Sequence, residues 1–141
     1  MKLVCLLLLA AASLYDMRTR KIPVMLIALT AVLSLVEGTI ILTDHTGTPL
    51  QIFGALLPGM ALVALSLISA QAIGLGDGLL IAAAGPVFGG YTICAGVMLA
   101  FFFSAVVSLV LMVWKRADKK MRIPFVPFLA SAMGVVTVAM V

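Results

Sequence analysis

The stretch TICAGVMLAFFFSAVVSLVLMVW, residues 92–114, carries no charged side chain, and its reading decides the fold. Wound as an α-helix at 1.5 Å per residue it is about 35 Å long, enough to cross the roughly 30 Å hydrocarbon layer of a bilayer with some tilt. Trp114, set beside Lys115, has the character of an anchor at the membrane surface, with an apolar ring and a polar edge. Working outward, comparable apolar runs cover residues 2–15, 23–43, 51–72 and 78–89, and a last one begins at IPFVPF (123–128) and ends at Val141. The whole chain is 65% hydrophobic and 10% charged, with a mean hydropathy of +1.32. Such a composition excludes an ordinary water-soluble domain. The expectation is an all-α polytopic membrane protein, a bundle of about six transmembrane helices forming one domain over residues 1–141, with the lipid bilayer as its main partner.

Punctuation between the runs supports this division. MKLVCLLLLAAASLY (1–15) has the basic start and apolar centre of a secretory signal, but DMRTRK (16–21) would be an odd mature N-terminus between two apolar runs. Residues 2–15 are therefore read as a retained, short first helix. Pro23 is expected in the first turn of the second helix, where its missing N–H does no harm. DHTGTP (44–49) makes a turn, and Pro58 with Gly59 can kink the third helix. Gly85, Pro86, Gly89 and Gly90 break the fourth run, with the turn placed near GGY (89–91), so that this span is short, at roughly 12 to 15 residues.

Eight of the nine basic residues fall in two clusters, Arg18, Arg20 and Lys21, then Lys115, Arg116, Lys119, Lys120 and Arg122. Six spans put both clusters on one side, together with GLGD (74–77). The excess of Lys and Arg makes that side cytoplasmic and leaves both termini outside, with Lys2 the one exception. The expected location is the cell inner (plasma) membrane. The net charge of +4 thus reports loop orientation, and nucleic acid is not an expected partner. Cys5 and Cys94 lie in separate apolar runs, where burial is expected, and have neither the spacing of a zinc site nor a disulfide framework. His45, in the polar turn, reads as a solvated loop residue. No metal and no cofactor are expected.

The five acidic residues sort by position. Asp44 and Asp118 lie in loops, and Glu37, near the outer end of the second run, can snorkel to the interface or face another helix. Asp16 and Asp77 each stand where an apolar run meets a cytoplasmic turn, one ending the first helix and one starting the fourth. An ionisable group held against apolar helices is costly, so such a pair marks a functional site. Two carboxyl groups brought close share a proton, since both cannot ionise cheaply. One can then polarise water while the other protonates a scissile carbonyl, which hydrolyses an amide without a metal or covalent intermediate. Gly74, Gly76 and Gly78 around Asp77 let backbone approach backbone, as a site receiving an extended peptide requires. Three other readings stay open. Asp77 could cap the fourth helix while Asp16 pairs with Arg18 or Arg20; the carboxylates could serve proton or cation passage in a small transporter component; or the bundle could bind a partner's apolar helices without hydrolysis.

Three segments together resemble a known family. DMRTRKIP (16–23) is similar to D-x-R-x-x-x-I-P, GLGD (74–77) to GxGD, and RIPFVPFLA (122–130) to a late I-P-F-x-P-F-L segment of the type IV prepilin peptidases and archaeal preflagellin peptidases. These are membrane aspartyl proteases of the GxGD type. The resemblance implies that Asp16 and Asp77 are the catalytic pair; Gly74 and Gly76, read above as making way for an extended peptide, are the candidate substrate-binding residues. It also implies that the substrate is a prepilin or pseudopilin precursor of type IV pilus or secretion machinery. The family cuts on the cytoplasmic side after a short basic leader ending in glycine, just before a hydrophobic helix. Two departures stand out: the family often continues GxGDxK and I-P-N, where this chain has Leu79 and Val24. They leave open weakened activity, altered preference or a non-catalytic descendant. The larger members' four-cysteine cytoplasmic insert is not matched, so N-methylation is not expected. The late IPFVPF segment is expected to be structural, with Pro124 starting the sixth helix and Pro127 in its first turn.

Overall fold

The computed structural model describes residues 1–19, 22–44, 47–69, 74–114 and 124–140. They form six helices: α1 (Lys2–Thr19), α2 (Val24–Thr43), α3 (Pro49–Ile68), α4 (Leu75–Phe88), α5 (Gly90–Val113) and α6 (Val126–Ala139). The protein is an all-α membrane protein. α2, α3 and α5 are long and apolar enough to cross a bilayer, while α4 and α6 are shorter apolar helices. Large apolar side chains face outward, among them Val24, Leu50, Ile68 and Val138, a surface suited to lipid and not to water. Arg20, Lys21, His45, Ala72, Val141 and residues 115–123 lie outside the described residues, so the expectations for the basic clusters and for His45 fall largely there.

The helix ends differ from the sequence expectation for local reasons. α1 runs a turn past residue 15 because its buried stripe, Cys5, Leu9 and Ala12, continues at Asp16 with helical spacing. Asp16 therefore sits inside the helix, not at its end. Pro23 stands before α2 as its N-cap in extended conformation and not in its first turn. α3 begins at Pro49 behind a Thr48–Gln51 capping box, in which the Thr48 N–H donates to Gln51 Oε1 at 3.2 Å. α4 starts at Leu75, earlier than residue 78, and continues through Pro86. The turn expected near GGY shrinks to Gly89 alone, which closes α4 and opens α5 at φ +85, a left-handed conformation that glycine adopts without a Cβ clash. Phe125, not Pro124, caps α6, whereas Pro127 does lie in its first turn.

α4 is the centre of the bundle, packed against α2, α3 and α5 and touching α1. Its fit to α3 is backbone against backbone. A Cβ on Gly59 would overlap the Ala82 main chain, and one on Gly85 would overlap the Ala55 carbonyl. On the other flank, Ser34 of α2 donates its hydroxyl to the Ala83 carbonyl. Small residues and a buried hydroxyl are what hold helices together in lipid, where apolar burial alone gives little preference for helix over lipid. α5 and α6 meet where Gly96 faces the Met133 sulfur, and α1 packs along α6. Phe125 meets Phe101 with ring centroids 4.9 Å apart, so α6 begins level with the middle of α5. Residues 102–113 of α5 run on past that level, and all but Ser104 and Leu111 are exposed.

This packing predicts a sharp contrast between two glycines of α3. Gly59→Ala must push α3 away from α4 and is expected to destabilise the protein by about 1–3 kcal/mol. Gly54 has nothing within 4 Å of a would-be Cβ, so Gly54→Ala is expected to be neutral or to stabilise by up to about 1 kcal/mol. Thermal unfolding in detergent measures both.

Candidate active site

Asp77 is the third residue of α4. The N-cap is Gly74, without any side-chain capping bond, so Asp77 does not cap the helix in the simple sense. The Asp77 N–H donates to the Gly74 carbonyl at 3.1 Å, and the carboxylate folds back over that glycine. Asp77 Oδ2 lies 2.8 Å from where a Gly74 Cβ would stand. A carboxylate in the first turn of a helix also meets the positive end of the helix dipole.

Asp16 arrives from α1. It is buried, with 7% of its surface exposed, and its Oδ2 accepts the backbone N–H of Val126, the first residue of α6, at 3.4 Å. Among the described residues it forms no ion pair with Arg18, which is exposed; Arg20 lies outside them. Asp16 and Asp77 stand on helices that touch each other.

Further contacts join the start of α4 to its neighbours. Ile22, which follows α1, lies against Gly76, with its Cδ1 3.3 Å from a would-be Cβ there. Gly78 fits against Val63 of α3. The structure thus brings together Asp16, Asp77, Gly74, Gly76 and the start of α6, although they are scattered along the chain. The Val126 N–H was not foreseen, because a main-chain donor has no signature of its own; the only trace is Pro127 beside it. Leu79 and Val24, the two departures from the family pattern, are both exposed and do not line the buried side of the aspartates.

A cavity of about 720 Å³ lies at the other end of α4, lined by Ile41, Gln51, Pro58, Pro86, Tyr91 and Cys94 among others. It holds neither aspartate and so is no part of this site. Cys94 is exposed, contrary to the burial expected from its apolar surroundings, because it sits on the outward side of α5 near this cavity; Cys5 is buried, and both are free thiols.

Residues 3–113 match the type IV leader peptidase family. The chain belongs to that family. The matched region contains both Asp16 and Asp77 and ends before α6. No curated relative and no solved structure matches the chain. Family membership makes the protein a membrane peptidase of the leader-peptidase kind.

The contact over Gly74 gives a direct test of local geometry. Gly74→Ala forces the Asp77 carboxylate to turn away, whereas Gly76→Ala meets only the tip of the flexible Ile22 side chain. Carboxyl-directed labelling of Asp77 in detergent is expected to change in the first variant and to match wild type in the second.

Proposed function

We propose that this leader peptidase is an aspartyl endopeptidase that removes the leader of prepilin-like precursors, with Asp16 and Asp77 as the catalytic pair in a single peptidase domain. The observation that carries the reading is convergence. The two aspartates stand on α1 and α4, which touch, and Ile22 just after α1 lies against Gly76 beside Asp77. An aspartate on a buried helical stripe, with a main-chain donor and a second carboxylate nearby, is hard to explain as surface solvation.

The chemistry follows from the pair. Holding one proton between them, the ionised carboxylate takes a proton from water as its oxygen attacks the scissile carbonyl carbon. The protonated partner gives its proton to the carbonyl oxygen. When the tetrahedral intermediate collapses, the C–N bond breaks, the carboxyl that took the water proton gives it to the leaving amine, and the other carboxylate takes a proton back from a hydroxyl of the intermediate, so the pair again holds one proton. Gly74 lets the Asp77 carboxylate fold back over it and Gly76 admits Ile22, and in this reading the turn they form lies beside the extended strand of substrate. The hydrophobic helix that follows the cut lies in the membrane alongside the bundle, and the basic leader reaches the site from the cytoplasm. The aspartates belong on the cytoplasmic side of the inner membrane in this reading, in keeping with the basic residues that follow Asp16.

Asp16→Asn and Asp77→Asn keep side-chain shape but cannot exchange the proton. Each is expected to lower precursor cleavage at least about a hundredfold, with thermal unfolding in detergent close to wild type. Cleavage of a leader-bearing peptide by purified protein, followed by mass spectrometry, measures this. Wild-type rates in either well-folded variant would refute the assignment.

A further inference from the structure

We propose that the start of α6 is a positioning element for the reaction, in which the Val126 main-chain N–H anchors Asp16 Oδ2 and leaves Oδ1 to work on water. This rests on the two-aspartate reading above. The first turn of any helix has N–H groups without partners in the helix. In α6 these are accounted for one by one. Pro127 has no N–H, and the Phe128 and Leu129 N–H groups both donate to the Phe125 carbonyl, at 3.0 and 3.1 Å. The donor left over is Val126, and it points at Asp16. Val126 is fully buried, so water does not compete for it. At 3.4 Å the bond is loose, as those of catalytic groups often are before substrate tightens them.

The surroundings hold this donor in place. The Phe125 ring rests on Phe101 with an interplanar angle of 39°, and the side chains of Val126 and Leu129 are in the core. The proline and aromatic residues of the late segment, which carry no proton chemistry themselves, thereby acquire a role. They deliver one main-chain N–H to one carboxylate oxygen. Positioning of this kind works through Asp16, so Val126 itself touches no reacting atom.

The test replaces the amide of Val126 by an ester, through incorporation of the α-hydroxy analogue of valine in the full-length protein in detergent. The side chain is kept and the donor is lost. A second ester at Leu129 removes the bond to the Phe125 carbonyl and weakens the same turn without touching Asp16. Two quantities are read: cleavage of a leader-bearing peptide, and the infrared band of the Asp16 carboxylate, isolated with ¹³C-aspartate and by subtraction of Asp16→Asn. The band is expected to shift in the Val126 ester and not in the Leu129 ester. kcat is expected to fall about tenfold in the Val126 ester alone, with KM little changed. An unmoved band, or equal kcat in the two esters, overturns the proposal. If wild type cleaves nothing while the band still shifts, the peptidase reading fails and the anchoring of Asp16 stands.

Discussion

The close approach of two helix backbones underlies everything else in this bundle. Where α3 meets α4, Gly59 admits the main chain of Ala82 and Gly85 admits the carbonyl of Ala55. Inside lipid there is little gain from burying one apolar side chain against another, so shape and small residues decide which helices associate. With no side chains between them at these points, α3 grips α4 tightly. Ser34 adds a hydrogen bond from the other side. A 14-residue helix too short to span the hydrocarbon layer alone can thus stand in the middle of the structure, with its first turn, and Asp77, held against its neighbours.

The second carboxylate is placed by different means. Asp16 continues the stripe Cys5, Leu9, Ala12 that presses α1 on its neighbours, so the packing that buries α1 also buries the acid. Such burial costs free energy unless donors offset it. The Val126 N–H at the start of α6 supplies one donor to Asp16. For Asp77 the positive end of the α4 dipole acts in the same sense. Two helix N-termini thus converge on two carboxylates from elements far apart in sequence, and the GLGD and IPFVPF segments make sense as the starts of those helices.

Much of this was legible in the chain itself. Charge-free runs announce membrane helices because the bilayer imposes a length, and an acid at the edge of such a run stands out because lipid penalises it. Asp16 and Asp77 stood out together because each lies where an apolar run meets a turn on the same side. What sequence could not supply depends on partners. Asp16 lies within α1 and not at its end, with its carboxylate against the start of α6. α4 passes through Pro86 because neighbouring helices support it, while glycine and proline alone suggested a break. Cys94 is exposed because α5 turns that side outward, and the hydropathy of its neighbours carries no such information. The role of Val126 rests on a main-chain atom, which no residue type encodes.

The proposed mechanism requires Asp16 and Asp77 to stand close enough for one water molecule to bridge them. Replacing both by cysteine, in a chain whose Cys5 and Cys94 have been changed to serine, allows a direct measurement with a short bifunctional thiol reagent. The account predicts an intramolecular link between positions 16 and 77, detected by mass spectrometry of the digested protein in detergent. Two folded, singly reactive thiols that never link to each other would contradict it.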